Sequence, residues 1–377
     1  MRVLFPARLD AAAKFGGDSQ IVAAYARELR SLGCDVTVSH RLYDDYAAFD
    51  VVHFVNINNA FETYLRLRRL RAAVRQPAAV LTPLHHKTAW MLPYYRDALG
   101  LPLGAATDHG GARFDVVMTA KDMARYGVAA LRAPALLPRL ARFGTSTFRQ
   151  KRYIVDHVDA LLVHSDEEAT SVRADFRAPQ ASAHVVPVGR DEPRHGTVPA
   201  GTPAEYLLSV GRIEPLKNQL ALIEATRALD VPLVLVGRTN GRHRGYARRL
   251  AAALDRSPHV RYFPFLERPA LDALYGGARL HVIASWYEVF PLTTIEAAAA
   301  GSRVATTRNS YERGVYGDGI PYLDPSGPAA IRAGLEEASS TPALGAPALV
   351  TARVPGWRGA AERLLAAYCR ARPGARD

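Results

Sequence analysis

Short apolar runs recur along this chain, and between them the apolar positions return every three or four residues. The first pattern is that of strands buried on both faces, the second that of amphipathic helices. Arg2–Pro6, Asp35–Ser39, Val51–Val55 and Ala78–Thr82 read as strands, as do 160–164 and 185–188. A helix is expected over 19–32, opened by the glycine loop at Gly16 and Gly17 and ended by Gly33. Residues 191–204 are polar and rich in Pro and Gly, which marks a linker. A second series follows, with strands expected at 206–210, 233–237, 260–263, 280–284, 304–307 and 320–323. The end, 356–368, is an amphipathic helix. Strands alternating with helices predict doubly wound α/β folding with parallel sheets. The division expected is a domain over 1–190, the linker, a domain over 205–354 and a terminal helix within 355–377.

Composition narrows the class. At 377 residues the chain exceeds the usual size of one core, so two domains are the natural expectation. Its two cysteines, Cys34 and Cys369, form neither a disulfide framework nor a metal-ligand spacing, which suits a reducing cytoplasm. The apolar run at the start is too short for a signal peptide, and no stretch approaches the ~18 apolar residues of a membrane span. A net charge of +12 raises the question of an anionic partner. The arginines are scattered, with no helix-turn-helix, zinc-finger spacing or aromatic RNA-binding platform, so nucleic acid is not expected. The basic stretch 123–152 either docks peripherally on an anionic membrane or is an ordinary solvated helix face.

Candidate chemistry concentrates at two loops. The strand at 279–284 runs into Ser285-Trp-Tyr-Glu-Val-Phe-Pro, followed by an alanine-rich helix that Gly301 ends. Pro291 suits the first turn, and the amides of Leu292, Thr293 and Thr294 are then free at the helix's positive end, an anion site. Glu288 precedes that site and Glu296 lies about a turn inside the helix, two acceptors flanking a phosphate cradle. The plain alternative is a surface carboxylate and a dipole-complementing one. In Ser209-Val-Gly-Arg-Ile-Glu-Pro-Leu-Lys-Asn, Arg212 and Lys217 follow a strand end, a planar fork and a point charge suited to phosphate oxygens. Two solvated loop cations are the alternative. Gly16 and Gly17, between first strand and first helix, permit close approach of a diphosphate. His85 and His86, after the Ala78–Thr82 strand, are an adjacent pair with no supporting metal-ligand spacing. Asn56, Asn58 and Asn59 follow another strand end.

The Glu-x7-Glu segment resembles the signature of retaining GT-B glycosyltransferases of family 4, and Gly211-Arg212 with Lys217-Asn218 resembles that family's diphosphate clamp. The resemblance runs over nearly the whole chain and is strongest from Tyr206 to Gly301. It implies the GT-B architecture, two Rossmann-like doubly wound domains facing a central cleft, with the terminal helix crossing back to the first domain. It implies transfer of a hexose-like sugar from a nucleoside-diphosphate sugar to a hydroxyl of a glycan or lipid-linked acceptor, in cell-surface polysaccharide synthesis; the alternative is a GT-B-fold nucleotide-sugar-binding protein, or an epimerase or phosphorylase, without transferase activity. Glu288 would then bind donor-sugar hydroxyls and Glu296 the ribose. The amides from Phe290 through Pro291 and Leu292 to Thr293 would face the diphosphate, with Phe265 and Leu266 near the base. His85 or His86 would lie near the reacting sugar. Many members carry Gly where this chain has Pro291, which removes one N–H from the cradle. No Asp-x-Asp triplet occurs, so neither a metal nor another cofactor is expected, and Arg212 and Lys217 would take over a metal's electrostatic work.

Overall fold

The computed structural model describes every residue except 10–15, 102, 104–111, 133–144, 240, 342–344 and 373–377. Much of the basic stretch 123–152 therefore lies outside the described residues, including Arg139 and Arg142, as do the side chains of Arg125 and Arg132.

The chain forms two compact units. The first comprises Met1–Leu92, Pro102–Val188 and Trp357–Asp377, the second Pro93–Leu101 and Gly189–Gly356. Pro93–Leu101 thus belongs with the second unit although it lies inside the span 1–190, and the terminal segment belongs with the first.

The first unit is a six-stranded parallel sheet in the order β2-β1-β3-β4-β5-β6. Its strands are β1 (Arg2–Pro6), β2 (Asp35–Ser39), β3 (Val51–Val55), β4 (Ala78–Thr82), β5 (Ala160–Val163) and β6 (Ala183–Val185). Central strands such as β4 and β5 are buried along their whole length, which is why they read as unbroken apolar runs. The Gly17–Ser31 helix buries Ile21, Ala24, Tyr25, Ala26 and Leu29, positions three to four apart. The Trp357–Ala371 helix packs on it, with the Tyr25 and Trp357 rings edge-on at 5.4 Å. Tyr368 anchors that helix to the sheet through a 2.7 Å hydrogen bond between its hydroxyl and His53 Nδ1. His53 Nε2 meets Thr82 Oγ1 at 2.8 Å, and burial pushes this imidazole down to about 3, so it stays neutral.

The second unit has a six-stranded parallel sheet in the order β12-β11-β10-β7-β8-β9. Its strands are β7 (Leu207–Val210), β8 (Leu233–Val236), β9 (Val260–Phe263), β10 (Leu280–Val282), β11 (Val304–Thr307) and β12 (Tyr322–Leu323). The expected strands at 206–210, 280–284 and 320–323 are present in shortened form. Read from β9, this is the Rossmann order, and the direction of strand succession reverses between β7 and β10. In open α/β sheets that reversal leaves a crevice at the carboxyl ends of the two strands, where ligands bind. The equivalent reversal in the first unit falls between β1 and β3.

Candidate functional site

Both loops singled out in the sequence leave the sheet of the second unit at its reversal point. After β7 the chain passes Gly211 and Arg212, dips inward at Ile213 and Glu214, and makes a single 3-10 turn at Pro215–Lys217. Asn218 ends that turn in the left-handed region, φ 57°, which Asn tolerates better than most residues. The neighbouring β8 exit touches it directly. A Cβ on Gly237 would fall 1.8 Å from the Gly211 carbonyl oxygen, so only glycine fits there.

After β10 the loop is bound to this turn by its backbone. The Trp286 amide donates to the Leu216 carbonyl at 2.9 Å. Side chains complete the link: Lys217 Nζ donates to Glu288 Oε1 at 2.5 Å. Both are mostly withdrawn from solvent, with side chains 23% and 12% exposed, yet each retains an open edge. Arg212 is more exposed and reaches Glu214 Oε1 at 2.8 Å. Glu214 therefore steadies the Arg212 fork from below, a role that sequence reading missed.

The helix that follows is Leu292–Ala299, and Pro291 stands immediately before it as its cap rather than within its first turn. Of the three amides expected to be free, that of Thr294 bonds the Pro291 carbonyl at 3.2 Å. A helix leaves its first amides without intrahelical acceptors, and here those belong to Leu292 and Thr293. Glu296 lies inside this helix with both oxygens engaged. Arg268 donates to Oε1 at 2.8 Å and the Tyr275 hydroxyl to Oε2 at 3.2 Å. Burial raises the Glu296 carboxyl, and the Arg268 charge pulls it back. Each oxygen of an ionised carboxylate has two lone-pair sites, so acceptor capacity remains. Arg268 was not foreseen as a partner. Its helix spacing to Asp272 is legible in the sequence, but its reach across to Glu296 is not.

Phe265, two residues beyond β9, is 48% exposed and carries the Arg238 guanidinium 4.0 Å from its ring centroid. An exposed ring already stacked on one face leaves the other for a planar group. Leu266 adjoins it in the chain, and the Phe290 ring packs 5.7 Å from that of Tyr316.

In the first unit, Gly16 caps the Gly17–Ser31 helix and Gly17 opens it. The space beside Gly17 is open, since an added Cβ would meet nothing within 4 Å. Asp18 occupies the positive end of this helix. It accepts from the Ser19 amide at 2.9 Å and from Asn56 Nδ2 at 3.1 Å, and Arg8 lies 3.6 Å away. The two histidines are placed differently. His85 is buried, its Nε2 2.8 Å from Asp175 Oδ2 and its amide on Glu168 Oε1 at 3.0 Å. Burial lowers its pKa against the pull of Asp175. It helps line a small cavity, about 50 Å³, with Lys151, which burial pushes down to about 8. His86 is half-buried. Lys151 Nζ donates to Asn58 Oδ1 at 2.9 Å, so Asn58 is engaged within the unit, and Asn59 is buried.

Among the described residues, no group of three or more His, Cys, Asp or Glu side chains is drawn together as a metal site would be.

The region holding both loops, residues 195–345, matches the family model described as glycosyl transferases group 1. The chain is 30% identical over 258 residues to the D-inositol 3-phosphate glycosyltransferase of Kineococcus radiotolerans, covering 59% of each chain. It is 32% identical over 168 residues to the MMP alpha-(1->4)-mannosyltransferase of Mycolicibacterium hassiacum, covering 42% of this chain and 39% of that one. The matched region spans between 38% and 59% of the length of these curated relatives and of a third, the D-inositol 3-phosphate glycosyltransferase of Mycolicibacterium paratuberculosis. Among solved structures, sucrose-phosphate synthase from Thermosynechococcus elongatus superposes with a TM-score of 0.71 at 14% identity, covering 98% of both chains. HepE of Anabaena, solved in complex with UDP-glucose, gives 0.65 at 14% identity, covering 97% of this chain and all of that one. Residues 195–345 thus match the group 1 family model, and the chain shares the two-sheet α/β fold of these solved structures.

Proposed function

We propose that this protein is a nucleotide-sugar-dependent glycosyltransferase whose donor diphosphate sits at the β7/β10 reversal. The observation that supports the reading is the Lys217–Glu288 contact between the loops after β7 and β10, with Arg212 on the first loop and the Leu292–Ala299 helix opening after the second. A cationic fork, a point charge and a helix N-terminus together stabilise charge building on a departing nucleoside diphosphate, where electrostatic catalysis gains most. Lys217 is held by Glu288 in the free protein. In the complex it would exchange part of that contact for a phosphate oxygen, freeing Glu288 to accept from sugar hydroxyls. Glu296, fixed by Arg268 and Tyr275, would accept from the ribose, and Phe265 offers its open face to the base. These cations make the reading independent of a divalent ion.

The mannosyltransferase among the relatives supports a hexose-like donor, and the acceptor in this reading is a hydroxyl of a glycan or lipid-linked molecule in cell-surface polysaccharide synthesis. Retention of configuration follows from the likeness to the family-4 signature. His86, the more accessible of the pair, is the better candidate to meet the reacting sugar. No helix among the described residues is long and apolar enough to cross a membrane. The reading is of a cytoplasmic enzyme with peripheral attraction to anionic lipid through its +12 charge.

The deciding experiment incubates the protein with UDP-, GDP- and ADP-linked hexoses and resolves nucleotide release. Release that depends on Lys217 supports the assignment. Failure of every nucleoside diphosphate to bind in calorimetry would sink it.

A further inference from the structure

Behind the Glu288 loop lies a carboxyl group that the proposed reaction does not use. Glu312 is fully buried in the second unit. Ser310 Oγ donates to its Oε2 at 3.3 Å, and the hydroxyls of Thr294 and Thr306 lie against it. Those three hydroxyls come from three places: the loop after β11, the first turn of the Leu292–Ala299 helix, and β11 itself.

The segment Asn309–Glu312 also grips the Glu288 loop. The Glu288 amide donates to the Asn309 carbonyl at 2.9 Å, Asn309 Nδ2 to the Trp286 carbonyl at 2.8 Å, and the Tyr311 amide to the Val289 carbonyl at 3.2 Å. The carbonyl of Glu312 is fixed in turn, accepting from the Tyr316 amide at 2.8 Å. One short segment thus braces the loop carrying Glu288, and its buried carboxyl lies against the helix turn presenting Leu292 and Thr293 through the Thr294 hydroxyl.

We propose that Glu312 in its neutral form is a positioning residue that locks this brace, so that proton loss from it loosens the Glu288 loop and the helix N-terminus together. A neutral carboxyl can both donate and accept among hydroxyls, whereas a carboxylate only accepts. The Glu288 loop, the first turn of the Leu292–Ala299 helix and β11 pack around it. Of the titratable groups there, Glu288 repels its charge from the loop and the Tyr316 phenol flanks it from the following turn. Burial, the largest influence, raises the carboxyl from 4.5 to about 8. The folded state therefore holds a proton that the unfolded chain gives up near 4.5. Stability contributed by the neutral group is complete below that pH and is lost as pH rises through about 8.

The proposal rests on the donor-site reading, and the test separates the two. Wild type and Glu312→Gln, which keeps shape and neutrality, are compared from pH 5 to 9 by denaturant unfolding, by ¹³C NMR of glutamate carboxyls, and by UDP, GDP and ADP binding. The expected results are a wild-type carboxyl titrating near 8, stability falling with pH relative to the glutamine variant, and nucleotide affinity at least tenfold weaker at pH 9 in wild type only. Glu312→Ala should weaken binding at every pH. Parallel stability and affinity profiles for wild type and Glu312→Gln would overturn the lock. A wild type that binds no nucleotide but still shows the stability difference would keep the brace and defeat the donor site.

Discussion

Lys217 Nζ and Glu288 Oε1 stand 2.5 Å apart although 71 positions separate them in the chain. The contact joins the turn after β7 to the loop after β10, and it holds the cation proposed to meet the donor diphosphate. Replacing Lys217 with alanine should lower turnover on a nucleotide sugar by about 10²–10³-fold, the usual effect of deleting one transition-state donor. The pair is partly exposed, so stability should drop by only about 1 kcal/mol. Steady-state kinetics beside a urea titration separate the two effects, and wild-type turnover would contradict the clamp.

Arg268 occupies a different position, between Asp272 and Glu296, with Asp272 almost wholly buried. Arg268→Ala leaves two withdrawn carboxylates without their cation, which should cost about 3–5 kcal/mol. Burial already raises the Glu296 carboxyl and Arg268 pulls it back, so without the guanidinium it titrates higher and the defect should shrink as pH falls from 8 towards 5. Unfolding curves at the two pH values check this, and a pH-independent loss would point to packing instead.

The adjacent histidines should part company on mutation. His85→Ala removes a buried ring and strands Asp175, and a loss of about 2–4 kcal/mol is expected with nucleotide affinity intact. His86→Ala should change stability by about 0.5 kcal/mol or less. If it is the residue near the reacting sugar, turnover falls while the melting temperature holds. The reverse pattern would make His85 the functional member.

His53 ties the terminal helix to the first sheet in its neutral form. Its pKa is lowered from 6.5 to about 3, so the stability it lends is present above 6.5 and is lost as the pH falls towards 3. Stability should decline by about 1.4 kcal/mol per pH unit through that window from this group alone. His53→Gln, which cannot titrate, should flatten part of that slope in acid unfolding, and identical slopes would show another group in control.

Much of this was legible before any coordinates. β4 and β5 are buried on both faces, so their apolar runs announce them directly. The Gly17–Ser31 helix begins two residues before the expected 19, because Gly16 caps it without a side chain and leaves no polar signal in the sequence. Arg212, Lys217 and Glu288 are legible because they stand on loops at strand ends, and Glu296 because it lies about a turn inside the helix that follows Pro291. Glu214, Arg268, Asn309 and Glu312 were missed. Each acts on a residue far off in sequence or sits in a segment with no motif of its own.

Local pattern by itself determined the alternation of strands and helices, the division into two series and the loops that carry charge, because periodicity and turn chemistry are properties of neighbouring residues. Only the tertiary structure decided the strand order that sets β7 beside β10, the inward turn of His85 and the partners of Lys217 and Glu296. Those depend on which distant segments share a sheet edge, and a one-dimensional pattern specifies that an element is buried without naming the element that covers it.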